Sequence, residues 1–142
     1  MSTVDEDDDV IVKSIVLVCD RARAFHLFTD RVSEWWPLDR RHIKGDAVMT
    51  LTRDGLAERA VDGRVVEVGR VRAWDAPSRL ELDWFPGASA DDPTFVIVTF
   101  VAEGERTRVT VEHRVHERAR DRIALFRASW DAVLTALSSQ SP

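Results

Sequence analysis

The fold is decided by the stretch from Thr94 to Ser138, which reads TFVIVTFVAEGERTRVTVEHRVHERARDRIALFRASWDAVLTALS. Two runs rich in β-branched residues, 94–101 and 108–115, flank the polar, Gly-containing segment 103–106, a pattern typical of a β-hairpin. Segment 119–138 then predicts a long helix, because apolar residues recur along it every three or four positions. That apolar stripe consists of Ile123, Phe126, Trp130, Val133, Leu134 and Leu137. A helix of about 20 residues is about 30 Å long, so it can cross a small sheet and enclose a pocket against it.

The chain ahead of this stretch has the pattern of one strand, two short helices and four more strands. Residues 10–18 are apolar and β-branched, as in a strand, and helices are expected at 21–28 and 30–36, where Pro37 ends the second. The next strands are expected at 47–52, 56–61, 64–74 and 79–85. Residues 86–93 are expected to form the longest and most mobile loop. The sequence therefore predicts an α+β fold, an antiparallel sheet of about seven strands with the long helix on one face.

Length and composition describe one ordinary globular domain. Of the 142 residues 44% are hydrophobic and 32% charged, and we expect a single domain over residues 10–139 after a disordered acidic tail at 1–9. A net charge of −5 argues against nucleic-acid binding, and no apolar run is long enough to span a membrane. The acidic start lacks the features of a secretory signal, so a cytoplasmic location is expected.

Residues that carry metal or nucleophilic chemistry are sparse in this sequence. Cys19 is the only cysteine, which excludes an internal disulfide and a cysteine-based metal site. His113 and His116 are three positions apart on a strand and so point to opposite faces, and no metal site is expected. Gly63 and Gly69 are isolated within strand sequence, so there is no phosphate-binding loop and no cofactor is expected.

Two adjacent tryptophans, Trp35 and Trp36, are the most conspicuous local feature. On a helix, neighbouring side chains lie about 100° apart around the axis, so both rings are not expected to face the core squarely. One ring is then expected in the core and the other at a pocket mouth or a partner surface, where amphipathic rings are favoured. The alternative is that the two are core and rim residues without a further role.

His113 is the polar residue with the strongest claim to a functional role. It falls in the apolar row of its strand, together with Val109, Val111 and Val115. It either orients a ligand or transfers protons at a cavity wall, or it is a hydrogen-bonded core residue. In an apolar cavity, burial would lower the pKa of His113 below about 6.5. No Ser, Cys or Asp at a known motif spacing completes a catalytic set with it, so no catalytic residue is assigned and an enzyme is not favoured.

Several motifs and the order of elements resemble the helix-grip fold of the START-like, or SRPBCC, superfamily. Residues 24–30 (AFHLFTD) and 34–38 (EWWPL) are similar to the start of the bacterial activator of Hsp90 ATPase homologue-like family. Residues 74–80 (WDAPSRL) and 107–113 (TRVTVEH) fit the same pattern. The resemblance covers residues 10–138 and implies a curved sheet wrapped on the C-terminal helix, with a cavity between them.

We therefore expect a small soluble module that binds an apolar or aromatic small molecule in that cavity. The expected ligand-binding residues are Trp35, Trp36, Trp84, His113, Phe126 and Trp130. The alternative is a stress-related, co-chaperone-like or regulatory module that binds a chaperone or another protein through an exposed patch around Trp35, Trp36 and residues 86–93. An enzyme in the same cavity, such as a cyclase, is a third alternative. The chain is expected to be a monomer or a homodimer.

Overall fold

The computed structural model describes residues 8–140, except for the side chain of Asp8. The elements are β1 (Asp8–Leu17), α1 (Arg21–Phe28), α2 (Val32–Trp35), β2 (Ala47–Leu51), β3 (Gly55–Ala60), β4 (Val65–Asp75), β5 (Arg79–Ser89), β6 (Asp92–Glu103), β7 (Arg106–His116) and α3 (Ile123–Ser138). Short 3₁₀ segments lie at Leu38–Arg40 and Glu117–Arg122. The strands form one antiparallel sheet in the order β1-β7-β6-β5-β4-β3-β2. The predicted fold class and the order of the elements are confirmed.

The hairpin of β6 and β7 supplies the centre of the buried sheet face. Val96 lies opposite His113, and Val98 opposite Val111. All four side chains are fully or almost fully buried. Because side chains alternate along a strand, this register places one apolar row of each strand on the inner face, where α3 covers it.

The C-terminal helix carries the predicted apolar stripe but begins later than predicted. Its α-helical part starts at Ile123, because residues 117–122 form a 3₁₀ helix instead. Ion pairs join Arg118 to Asp92 of β6 and Arg120 to Asp9 of β1. These pairs hold the charged segment against the sheet. The buried part of the stripe consists of Phe126, Trp130, Val133, Leu134 and Leu137, and Ile123 is partly buried.

Residues 86–93, expected to be the longest loop, are mostly strand, and that prediction is wrong. Strand β5 continues to Ser89 and β6 begins at Asp92, so a turn of two residues joins them. The pairing register shifts between Trp84 and Ser89. The Pro and Gly that indicate a loop in the sequence are accommodated here by an irregularity within a strand pair.

The N-terminal strand begins earlier than predicted. Strand β1 starts at Asp8 and pairs with β7, so the last two residues of the expected acidic tail belong to the sheet. Residues 1–7 of that tail lie outside the described residues. Among residues 8–140, no helix is both long enough and apolar enough to cross a membrane.

Both Trp35 and Trp36 are buried, with 4% and 6% of their surface exposed. Helix α2 spans Val32–Trp35 rather than 30–36, and Trp36 follows it with an extended ψ of 124°. The rule for neighbouring helical residues therefore does not apply to this pair, and the expectation that the two rings cannot both face the core is wrong. The exposed aromatic patch predicted around them is likewise not found.

Candidate ligand-binding cavity

A cavity of about 220 Å³ lies between α3, strands β2–β5 and the segment 36–42. Its apolar lining is formed by Trp36, Met49, Val68, Trp84, Phe126, Trp130 and Val133. A cavity of about 150 Å³ with apolar walls holds one benzene ring. The space is therefore sufficient for a small aromatic molecule.

Three tryptophans form the wall of the cavity. The ring centroids of Trp84 and Trp130 are 5.1 Å apart, and Trp36 lies 6.3 Å from Trp84 and 6.1 Å from Trp130. These distances are typical of packed aromatic pairs. The sheet, the last helix and the segment after α2 each contribute one ring, so the wall exists only in the folded chain.

Gly87 allows the β5 backbone to approach Phe126 of α3. Its φ of +75° is in the left-handed region, and a Cβ atom there would lie 2.7 Å from Cζ of Phe126. A side chain at this position would therefore strain the backbone and collide with the aromatic ring. The glycine contributes to the cavity lining beside Pro86.

His113 lies behind the tryptophan wall and is fully buried. The indole Nε1–H of Trp130 donates to Nδ1 of His113 over 3.0 Å. Because Nδ1 accepts, the neutral ring carries its proton on Nε2, which lies 2.7 Å from Oγ1 of Thr94. The Thr94 hydroxyl in turn donates to the carbonyl oxygen of Trp84 over 3.4 Å. This network fixes the Trp130 ring to the sheet and holds the backbone of Trp84.

Burial lowers the pKa of His113 to about 3, which confirms the predicted direction of the shift. With both ring nitrogens engaged, the neutral ring has no free donor or acceptor for a ligand. Its ring centroid lies 4.5 Å from that of Phe126, so it supports the lining from behind. His113 thus positions the aromatic wall, and proton transfer to a ligand would require breaking this network.

Of the six residues predicted to bind a ligand, the structure brings four together around the cavity, namely Trp36, Trp84, Phe126 and Trp130. Trp35 and His113 are not among the lining residues. Trp35 packs on Trp36 at 5.6 Å and donates from Nε1 to the carbonyl oxygen of Leu27 over 2.7 Å. It therefore supports the wall from the side of α1.

The lining also has a polar part, organised by the buried carboxylate of Glu58. We call this part the polar end, and it consists of Asp39, Arg40, Arg41, His42 and Glu58. Glu58 lies on β3 in the buried row with Leu56 and Ala60, and 1% of its side chain is exposed. Its Oε1 accepts from the backbone N–H of Ile43 over 2.8 Å, and its Oε2 lies 2.8 Å from Nδ1 of His42. The backbone N–H of His42 lies within 3.0 Å of both oxygens.

These hydrogen bonds keep the Glu58 carboxylate ionised. Burial acts to raise the pKa of Glu58, but the hydrogen bonds from His42 and Ile43 outweigh it and lower the pKa below its usual value. The carboxylate orients the His42 ring, whose Nδ1–H points inward while the side chain is 42% exposed. The fold therefore holds a carboxylate and an imidazole side by side in the cavity lining.

Two consecutive arginines complete the polar end. Arg41 is buried, and its Nη2 donates to the carbonyl oxygens of Ser33 and Trp36 over 2.8 Å each. Burial lowers the pKa of Arg41, and the charge of Glu58 opposes that shift. Arg40 donates from Nη1 to Oγ of Ser129 over 3.4 Å, and its buried Nε has no hydrogen-bond partner in the described part of the chain.

Sequence reasoning missed this polar end. For Glu58 a signal existed, because a charged residue between Leu56 and Ala60 interrupts the apolar row of β3. For Arg40, Arg41 and His42 no local signal existed. Their segment is a short polar connection. It contacts α3 through Arg40 and Ser129, which are 89 residues apart in the sequence.

Solved structures similar to this chain share its helix-grip architecture. CalC from Micromonospora echinospora, described as a self-sacrificing resistance protein, is 25% identical with a TM-score of 0.62, and 91% of each chain is covered. CalU16 from the same organism is 17% identical with a TM-score of 0.63, over 94% of this chain and 77% of that chain. EF2215 from Enterococcus faecalis, a conserved protein of unknown function, is 11% identical with a TM-score of 0.68, over 96% of this chain and 77% of that chain. No curated protein matches the sequence.

One family description fits most of the chain. The match extends over residues 19–140, from just after β1 to just after α3, and includes every residue that lines the cavity. The sequence resemblance to this family is thus confirmed. The chain belongs to the family described as Activator of Hsp90 ATPase homolog 1-like protein.

Proposed function

We propose that this protein binds a small apolar or aromatic molecule in the cavity between its sheet and α3. The observation that carries the proposal is the cavity of about 220 Å³, walled by Trp36, Trp84, Trp130 and Phe126. Burial of apolar surface is favourable by about 25 cal/mol per Å², so about 200 Å² of ligand surface supplies about 5 kcal/mol. Part of this is lost on association, and we expect a simple two-ring probe to bind with a Kd of about 1 mM.

The shape of the site favours one orientation of the ligand. The lining combines the aromatic wall with the polar groups around Glu58. Pockets of this composition use apolar walls for affinity and a few polar groups for orientation. The ligand ring would pack on the tryptophans, and its polar substituent would face Arg40 and His42.

A role as a chaperone regulator is the second candidate, and the family description supports it. The two tryptophans that would have formed its exposed patch are buried, so the interface expected from the sequence has no aromatic anchor there. The cavity is therefore the better supported site. A chaperone regulator would change the ATPase rate of a purified Hsp90 whether or not the cavity is filled.

Calorimetric titration with 2-naphthamide, a neutral two-ring compound, tests the cavity. Val68 lines the cavity on β4, and Val68→Phe would fill part of the space. Val101→Phe is the matched control, because the same substitution falls on an exposed position of β6. We expect the unaltered protein and Val101→Phe to bind the probe, and Val68→Phe to bind it at least about tenfold more weakly, a loss of about 1.4 kcal/mol.

Circular dichroism and urea unfolding would first establish that both variants are folded. Equal binding by all three proteins would place the probe outside the cavity. No saturable binding by the unaltered protein up to the solubility limit of the probe would count against the proposal.

A further inference from the structure

We propose that the ligand is an aromatic or apolar carboxylate and that Arg40 binds its anionic group at the polar end of the cavity. This inference rests on the proposed function, because it assigns a chemical class to the ligand of the same site. It starts from one buried nitrogen for which residues 8–140 provide no partner.

Arg40 is a cavity-lining cation with unused hydrogen-bonding capacity. Its Nε is buried without a partner in the described part of the chain, and its Nη1 makes a long bond of 3.4 Å to Oγ of Ser129. A buried donor left unpaired is costly, and native proteins rarely retain one without a partner such as water or a ligand. The planar guanidinium suits the two oxygens of a carboxylate.

The carboxylates near Arg40 do not satisfy it. Both oxygens of Glu58 are occupied by His42 and Ile43, over 2.8–3.0 Å. Asp39 also lines this end of the cavity, but it is exposed, and no ion pair within residues 8–140 joins it to Arg40. The negative charge that would complete the site is therefore not supplied by these neighbours.

Ser129 and Arg41 favour an anion at the same place. The Ser129 oxygen accepts from Arg40, so its hydroxyl hydrogen remains available to donate to a ligand oxygen. Arg41 lines the same end and is buried, with its donors on the neutral carbonyl oxygens of Ser33 and Trp36. Its positive charge offsets the negative charge of Glu58 in the same part of the lining, so the charge of Arg40 remains for a ligand anion.

Calorimetric titration with 2-naphthoate and 2-naphthamide tests the assignment, because the two probes have the same ring system and differ in charge. We expect the unaltered protein to bind 2-naphthoate at least about tenfold more tightly than 2-naphthamide, a difference of about 1.4 kcal/mol. Arg40→Gln should reduce this preference to within about twofold, because the loss of affinity for 2-naphthoate should exceed any loss for 2-naphthamide. Arg127→Gln is the matched control, because it removes one positive charge from an exposed position of α3.

Each outcome decides between the two proposals. Similar affinities for both probes in the unaltered protein would overturn the carboxylate assignment and leave the cavity site intact, and this comparison requires no variant to fold. Equal losses in Arg40→Gln and Arg127→Gln would also overturn it, because the effect would then be long-range. An equal loss of affinity for both probes in Arg40→Gln would overturn the carboxylate assignment, because Arg40 would then support the cavity without recognising the charge. Binding of neither probe by the unaltered protein would reject the proposed function itself.

Discussion

Two histidines, one in the cavity lining and one behind the aromatic wall, differ in the charge of their surroundings. His113 is fully buried behind the aromatic wall, where Trp130 and Thr94 occupy its nitrogens and burial lowers its pKa to about 3. His42 is part-exposed at the polar end, where the buried carboxylate of Glu58 accepts from its Nδ1. The first histidine is held neutral and is structural. The second lines the cavity, and 42% of its side chain is exposed.

Residue type alone therefore does not indicate which of the two histidines lines the cavity. His113 lies in an apolar row and is conspicuous in the sequence, yet the fold engages both of its nitrogens in the wall. Arg40, on the segment between α2 and β2, has a buried Nε without a partner in residues 8–140. The following variants test how strongly the two ends differ.

The pH dependence of stability should show the largest effect. The folded pKa of His113, about 3, is below its unfolded value of about 6.5. The residue therefore contributes stability above pH 6.5 and loses it as the pH falls toward 3. Between pH 7 and 4.5 this amounts to about 2–3 kcal/mol. Urea unfolding of the unaltered protein and of His113→Leu at both pH values measures it, since the variant should lack this component. A parallel decline of the two proteins would contradict the account.

Glu58→Gln should destabilise the protein by about 2–3 kcal/mol at pH 7, because an amide cannot replace the carboxylate as acceptor for all of its donors. The exposed pair of His26 and Asp30 offers the control. It has a similar Nδ1-to-carboxylate distance of 2.9 Å, but 66% of the Asp30 side chain is exposed. Asp30→Asn should cost less than about 0.5 kcal/mol. If urea unfolding gave equal losses of stability for Glu58→Gln and Asp30→Asn, burial would not explain the contribution of Glu58.

His113→Leu at pH 7 should cost about 1–3 kcal/mol, because it leaves the indole N–H of Trp130 buried without an acceptor. The double variant His113→Leu/Trp130→Phe removes the stranded group. Its cost should be smaller than the sum of the two single costs, which a double-mutant cycle of unfolding free energies measures. Strict additivity would show that the two residues are not coupled.

Arg40→Gln should have the smallest effect, within about 0.5 kcal/mol of the unaltered protein. Within residues 8–140, the side chain of Arg40 makes one hydrogen bond, which is long, and its Nε has no partner to lose. Arg41→Gln should cost more than about 1 kcal/mol, because its guanidinium holds two buried carbonyl oxygens. A large cost for Arg40→Gln would indicate that the residue supports the fold rather than a ligand.

The fold was predictable because periodicity is local in the sequence. The β6–β7 hairpin and the stripe of α3 follow from apolar spacing alone, and so does the burial of His113. Predictions failed where the chain departs from regular geometry, as at Trp36 beyond the end of α2 and at the irregular end of β5.

The candidate site was predictable only in part. Trp84, Phe126 and Trp130 lie on regular elements, whose inward faces the sequence indicates. The unpaired Nε of Arg40 depends on how a short connection packs against α3, far along the chain. This contact is set by tertiary packing, so local sequence patterns do not predict it.

The indole N–H signals of the five tryptophans, followed by NMR during titration with 2-naphthoate, test the central claim most directly. We expect saturable shifts for Trp36, Trp84 and Trp130, which line the cavity. Trp74, which is not among the lining residues and packs against Phe25 at 5.3 Å, should remain unchanged. Unchanged signals from the three cavity tryptophans, or equal shifts of all five, would contradict a ligand site between the sheet and α3.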